Sequence, residues 1–588
     1  MNKTAVFVTS VLFIHAMMLG WVAYRYSPTW DEVAHLPSGI SHWKFGDFTL
    51  YAVNPPLIRS VAALPLLFVP HEEDWGRFAT SRPAVSQRSE FGIGSNFIKA
   101  NGEKSFFLYT LGRWACIPFS LLAGYICWRW ARELYGNPAG MLALIVWCFS
   151  PMVLAFGSLI SPDIGCTALG ITASYAFWKW LKKSSWEQTF FTGLLLGIAE
   201  LTKYTLLVFY GFWPLMWLLW RFLSRKEPSG VTIRKQFFQL AVIFLISVWT
   251  INTGYAFLGS FERLDSYKFV SRILTVTDDD GKTLSNNRFR GTWMGAVPVP
   301  LPTEYVYGMD VQKVDFEKKL YSWFCGEWRK GGWYEYYIYG LFIKEPLGTW
   351  FLIVMATFCG LFLKGYTSFL RDEIVLLIPL FGLLIFVSSQ NGFSHHMRYL
   401  LPAFPFAFIW LSKTARSFTL HRPVVSTLTV MALVWSVGSS LYYYPHSMSY
   451  FNELVDGPRN GHYHLANSNI DWGQDLLYLR QWLAKHPEVN LDSLGYDLPL
   501  VSPTLIGVDA PDPPLLPEPG WHVISVNRIH ERGGKYEYFL NFDPTDRIGY
   551  SMNVYHFTED EVNRIRHEMG LPEWAPEPED SVYSKEVQ

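Results

Sequence analysis

Four stretches of this chain, 4–24, 138–158, 237–258 and 424–442, run for about twenty residues each with almost no ionisable side chain. A helix rising 1.5 Å per residue crosses a hydrocarbon core of about 30 Å in that length. Inside such a core every backbone N–H and C=O must be paired within the protein, so the segments have to be helices. Seven further apolar segments extend the pattern to eleven expected spans, near 4–24, 108–128, 138–158, 164–181, 188–202, 204–220, 237–258, 347–363, 373–388, 399–412 and 424–442. Only 17% of the 588 residues are charged, against roughly 25% in soluble domains. The shortage is uneven, because 443–588 is polar, proline-rich and carries both signs of charge. A net charge of −1 therefore averages two solvents and identifies no partner. No nucleic-acid partner is expected.

Basic residues assign the sides. Arg129 and Arg132, then Lys182 and Lys183, then Arg221, Arg225, Lys226, Arg234 and Lys235, then Lys364 and Arg371, then Lys413, Arg416 and Arg422 occupy alternate connections. Short loops rich in Lys and Arg stay cytoplasmic, so the opposite side receives loop 25–107, loop 259–346 and a C-terminal domain, 443–588. The N-terminus is then cytoplasmic and the C-terminus extracytoplasmic. The first apolar run is too long for a signal peptide and lacks a clear small-residue cleavage site, so it reads as an uncleaved span. A multi-pass protein of a bacterial plasma (inner) membrane is expected. The fold class expected is an all-α polytopic membrane protein, 1–442, followed by an extracytoplasmic α/β domain. Within that domain Gln474 to Lys485 reads as an amphipathic helix behind Asp471 and His522 to Val526 as a short buried strand, while the tail from about 572 reads as disordered. Five of the six cysteines lie in apolar segments and Cys325 stands alone in a polar loop, so neither a disulfide framework nor a zinc site is expected.

The residues that could carry chemistry all fall on the outer side of this topology. Asp31 and Glu32 follow the first span by a few residues, with His35 close behind. Carboxylates are costly to desolvate beside a membrane and suggest a functional use; alternatively they form the acidic first turn of an interfacial helix. Asp31-Glu32-x-x-His35 lacks the leading His of a zinc-protease motif. Asn54-Pro55-Pro56-Leu57 reads as a rigid turn that brings Asn54 toward Asp31. Asp163 follows Ser161-Pro162 between two spans, where it either caps a helix or joins a site. Lys203, Lys344 before Glu345-Pro346, and Arg398 at the head of a span suit a phosphate; snorkelling, a local charge pair and nonspecific headgroup contact are the respective alternatives. His395 and His396 diverge on a helix, so they do not make an easy metal pair.

Together these pieces resemble the GT-C superfamily of membrane glycosyltransferases, closest to the protein O-mannosyltransferases and the lipid A aminoarabinose transferases. The resemblance covers roughly 1–442 and rests on the order of Asp31-Glu32, Gly46-Asp47, Pro55-Pro56-Leu57, Asp163, Lys203, Lys344-Glu345-Pro346 and Arg398-Tyr399 with Pro402 and Pro405. The segment Ser468-Asn469-x-Asp471-Trp472-Gly473-Gln474-Asp475 is similar to one in uncharacterised bacterial relatives. Some relatives place a His or Glu before the first-loop Pro, the Glu helping to bind a metal; Asn54 stands there in this chain. No cofactor is assigned, and a divalent metal is left open.

The resemblance implies a sugar donor on a polyprenyl phosphate and inversion at the anomeric carbon. Asp31 would be the general base, with Glu32 or His35 orienting it or the sugar. Lys203, Arg398 and Lys344 would bind the donor phosphate, and His35, Asn54 and Asp163 the sugar or acceptor. The acceptor is a lipid, a glycan or a protein hydroxyl, and membrane lipids are further partners. A lipid or sugar transporter or flippase is one alternative; such proteins show paired repeats and polar groups at the midplane. A non-catalytic, envelope-binding membrane protein is the other, and it would leave the acid and cation set without a purpose.

Overall fold

The computed structural model describes residues 3–76, 78, 88–224, 232–277, 283–390 and 392–576. Arg225 and Lys226 of the basic loops, and 577–588 of the expected tail, lie outside the described residues. A helix occupies every one of the eleven expected windows. Among the described residues five are long and apolar enough to cross a membrane by themselves: Lys3–Arg25, Lys104–Tyr135, Tyr204–Leu223, Ile233–Gly254 and Pro423–Tyr442. A sixth span arises if Tyr336–Lys344 and Leu347–Phe362 are taken together, bent by 109° where Glu345-Pro346 interrupts them.

Local chemistry shortens two of the others. Asn137–Phe149 stops at Ser150-Pro151, and Ser150 caps the next turn, Pro151–Phe156, by accepting the Val153 N–H. Phe404–Leu411 opens out of a 3-10 turn, Met397–Ala403, because Pro402 and Pro405 withhold two N–H donors. The helices share one large apolar cluster in which Trp130, Trp147, Trp178, Trp180 and Trp213 are fully buried. Phe13, Leu245, Leu361 and Val434 are exposed on the outside of long helices, the surface expected to meet acyl chains.

The ends of the helices fix where the candidate residues fall. Pro162–Lys182 carries Asp163 in its first turn and Lys182 at its last residue, about 30 Å apart at 1.5 Å per residue. Lys104–Tyr135 carries Arg113 toward its start and Arg132 in its last turn. Trp186–Glu200 begins just after Lys183 and ends just before Lys203. The basic loop residues therefore lie at one end of the bundle and the candidate site residues at the other.

Residues 493–557 form a four-stranded sheet in the order Ser493–Gly495, Gly520–Ser525, Met552–Phe557, Asp546–Ile548. The first pair is parallel and the others antiparallel. Leu476–Lys485, starting two residues later than its apolar pattern suggested, packs Leu476 and Leu479 against this sheet. That apolar cluster also contains Val33, Leu36, Phe97 and Tyr109. The sheet is thus continuous in packing with the helix that carries Asp31.

Candidate active site

The helix Trp30–Phe45 begins where it does because Glu32 closes its own first turn. The Thr29 N–H and hydroxyl both donate to the Glu32 carboxylate, at 3.0 and 2.8 Å, a capping box by residue type and spacing. Gly46 ends the helix in the left-handed conformation, φ +62°. Glu32 is fully buried and meets Arg113 bidentately, at 2.9 and 2.5 Å, and it accepts the Ile160 N–H at 2.9 Å. Arg113 also donates to the carbonyls of Ala23, Tyr26 and Ser27. One guanidinium therefore ties the end of the first helix to the start of the second. This placement gives Glu32 a structural task and aims Asp31 elsewhere.

Asp31 meets Arg398, whose Nη2 donates to Oδ2 at 2.7 Å. That guanidinium has further close neighbours, although its Nε makes no hydrogen bond among the described residues. Nη1 lies 2.9 Å from the Ser468 hydroxyl and 3.1 Å from His396 Nδ1, Nε is 3.2 Å from Asp163 Oδ2, and the group stacks 4.0 Å from the centre of the Trp472 ring. Asp163 also accepts from Lys203 Nζ at 2.7 Å and from the Ser161 hydroxyl at 3.2 Å. Lys203 sits over the Tyr399 ring at 4.1 Å. The order of motifs along the sequence thus becomes one contiguous array, Asp31–Arg398–Asp163–Lys203.

The two carboxylates are not equivalent. Asp163 retains 2% of its side-chain exposure and Asp31 24%. Burial disfavours the ionised form of both. For Asp163, Lys203 and Arg398 outweigh burial and hold its carboxyl below the usual range. For Asp31, burial, helped by the charge of Asp163, outweighs the pull of Arg398 and raises it.

Two cavities meet at this array. A polar one of about 110 Å3 is lined by Asp31, Tyr51, Asn54, Arg88, Asp163 and Arg398 among others. A larger one of about 440 Å3 is walled mainly by apolar side chains such as Leu207, Val208, Met309, Phe386 and Val387. Lys203, Gln312, Phe316 and Tyr399 line both, so the two cavities adjoin at these side chains.

Asn54 reaches the polar cavity, and its Oδ1 is buried without a protein partner. His35 lies behind it, packed on the Tyr51 ring at 4.3 Å. Burial, with Arg59 and Arg398 next in weight, pushes its pKa well below the usual value and keeps it neutral. Lys344 is not brought to this array. Its ammonium donates to the carbonyls of Met448 and Asn469, at 2.9 and 2.6 Å, over the Phe451 ring. Among the described residues no group of three His, Cys, Asp or Glu side chains is arranged to hold a metal ion. Asp31 and Asp163 are engaged by cations and Asn54 offers only a neutral oxygen, so this donor set does not fit a metal.

Arg88, Ser468 and Trp472 belong to the site without having been singled out for it in the sequence. Arg88 bonds Glu90 at 2.5 Å and Asp315 at 3.1 Å and lines the cavity. Its partner Asp315 is remote in the chain, so no local pattern announces it. Ser468 and Trp472 lie in a segment whose motif was visible and whose destination was not.

An acid–cation array where a polar and an apolar cavity meet, set at one end of a bundle of apolar helices, gives the chain the form of a membrane protein. Residues 109–251, which include Arg113, Asp163 and Lys203, match the sequence profile of the dolichyl-phosphate-mannose-protein mannosyltransferases. The resemblance to GT-C membrane glycosyltransferases is found in that stretch, which is shorter than half the chain. Among solved structures, ArnT from Cupriavidus metallidurans in the apo state aligns with 94% of this chain and 98% of its own, at 12% identity and a TM-score of 0.42. The same protein bound to undecaprenyl phosphate aligns with 94% and 97%, at 12% identity and a TM-score of 0.39. No curated protein sequence matches the chain.

Proposed function

We propose that the protein transfers a sugar from a polyprenyl-phosphate donor to an acceptor hydroxyl, with inversion, on the extracytoplasmic side of the membrane. The observation that carries this reading is the Asp31–Arg398 pair at the junction of a polar and an apolar cavity. The polyprenyl tail lies in the apolar cavity and its phosphate meets Lys203 first, then Arg398. As the phosphate takes over the guanidinium, Asp31 is released from its ion pair and becomes available as a base.

The bond changes balance without a second acid. The acceptor oxygen forms its bond to the anomeric carbon while the bond from that carbon to the phosphate oxygen breaks. The electron pair stays on the phosphate and the hydroxyl proton passes to Asp31. Glycosidases need a carboxylic acid to protonate a poor leaving group; here a phosphate leaves as an anion, and Arg398 and Lys203 supply the opposing charge. Asp163 holds those two cations in register. Asn54, with its unpaired Oδ1, accepts from a sugar or acceptor hydroxyl, and neutral His35 packs behind Tyr51. Lys344 has no part in phosphate binding on this reading, and Glu32 orients Asp31 through the first turn of its helix. The gathering of the charges in one cavity at one end of the bundle supports an enzyme over a transporter, whose substrate groups belong near the midplane.

The test is release of free polyprenyl phosphate by the protein in lipid nanodiscs, supplied with a panel of polyprenyl-phosphate sugars. One donor is expected to turn over with wild type, and Asp31→Asn should lower the rate by at least about 10³-fold while still binding donor. Near-normal turnover by Asp31→Asn would overturn the assignment.

A further inference from the structure

Two parts of the chain far apart in sequence are laced together at the site. The Ser27 N–H donates to the Gln474 carbonyl at 2.9 Å, the Ser27 hydroxyl to the Gly473 carbonyl at 2.6 Å and the Trp30 N–H to the Trp472 carbonyl at 3.2 Å. The Leu476 N–H returns a bond to the Ser27 hydroxyl at 3.1 Å. Residues 472–476 thus bind 27–30, and the next residue is Asp31. The same segment grips Arg398 through the Ser468 hydroxyl and the Trp472 ring. Asn469 holds the backbone just before it, accepting the Met397 N–H at 3.0 Å and donating to the His395 carbonyl at 2.9 Å.

The segment is also braced from behind. Asp471 accepts the hydroxyl of Ser525, the last residue of strand Gly520–Ser525, at 2.5 Å, and Asp475 accepts that of Ser551 at 2.7 Å. Gly473 turns the chain at φ +86°, where a Cβ would come within 2.5 Å of Leu498. A guanidinium on a flexible stem has many rotamers, and stacking on an indole removes most of them.

We infer that segment 467–476 positions the phosphate-binding guanidinium, with Ser468 and Trp472 fixing the rotamer of Arg398 and the 27–30 contacts fixing Asp31 opposite it. The polar sheet region at the C-terminal end of the chain is then part of the catalytic unit. This inference rests on the phosphate-binding reading of Arg398 and adds positioning residues to it.

The test measures binding of undecaprenyl phosphate to the full-length protein in nanodiscs, a readout that does not require turnover. Trp472→Leu should weaken binding about tenfold, and Trp472→Phe, which keeps an aromatic face, should recover most of that loss. In an Arg398→Gln background Trp472→Leu should have no further effect, because the residue acts only through the guanidinium. Wild-type affinity in Trp472→Leu, or an equal additional loss in the Arg398→Gln background, overturns the inference while leaving the phosphate site standing. Absence of binding by wild type overturns both. Should Trp472→Leu not fold, Ser468→Ala, which removes one hydroxyl, is judged by the same non-additivity with Arg398→Gln.

Discussion

Asp31 and Asp163 share one guanidinium, yet only one of them is suited to take a proton. Asp163 is closed in by Arg398, Lys203 and Ser161, and its depressed pKa makes it a poor acceptor. Asp31 keeps access to the cavity, and burial raises its pKa against the pull of Arg398. A raised carboxyl is ionised only above the ordinary Asp value of about 3.9. The proposed base is therefore lost as pH falls through that raised pKa, and kcat/KM should climb with pH through it and level off above. Removing the lowering charge with Arg398→Gln should weaken donor binding and also move the inflection to higher pH. A kcat/KM profile for wild type and Arg398→Gln checks both effects. An inflection at or below the ordinary value, or one that stays fixed in the variant, counts against Asp31. Asp31, Asp163, Lys203 and Arg398 were each legible from residue type and order along the chain. Arg88 and Trp472 were not, because what qualifies them is a neighbour in space.

Sequence adjacency hides a division of labour within the helix Trp30–Phe45. Asp31 faces the cavity, while Glu32 is sealed against Arg113 and the chain end around Ala23 to Ser27. An acidic first turn was legible; the partner was not, since Arg113 lies inside an apolar window where nothing local marks it as a counter-ion. Breaking a buried pair from one side leaves a desolvated charge and costs about 3–5 kcal/mol. Glu32→Ala is thus expected to lower thermal stability and activity together, and Glu32→Ala with Arg113→Met should be more stable than Glu32→Ala alone. Thermal unfolding of the three proteins decides this. A Glu32→Ala protein of normal stability but no activity would instead make Glu32 a participant in the chemistry. Lys344 teaches the converse lesson. Its surroundings in sequence resemble those of Lys203, yet the turn at Glu345-Pro346 presents it to the carbonyls of Met448 and Asn469. Local pattern could not separate the two lysines, because the difference lies in which backbone returns to meet each one.

Taken as a whole, the bundle has a direction: basic connections at one end and the acid–cation array at the other, with 443–476 folded back onto that array. The apolar windows were legible as helices because bilayer thickness leaves a simple record in composition. The fold-back was invisible, since it depends on hydrogen bonds between residues hundreds of positions apart. With the basic connections placed in the cytoplasm by the positive-inside rule, the end bearing the site is predicted to be extracytoplasmic. The chain carries its own reporter for this. Cys116, Cys127, Cys148, Cys166 and Cys359 are buried free thiols and Cys325 is exposed, at the turn of the hairpin Tyr321–Phe324 and Glu327–Lys330, within the loop expected to lie outside. Burial raises the Cys325 thiol somewhat, so a mildly alkaline buffer is needed to populate its thiolate. A membrane-impermeant maleimide added to intact spheroplasts should modify the protein once, and Cys325→Ser should abolish the modification. Labelling that appears only after the membrane is permeabilised would turn the molecule over. The basic loops would then face outward, and the donor sugar would have to be met on the cytoplasmic face.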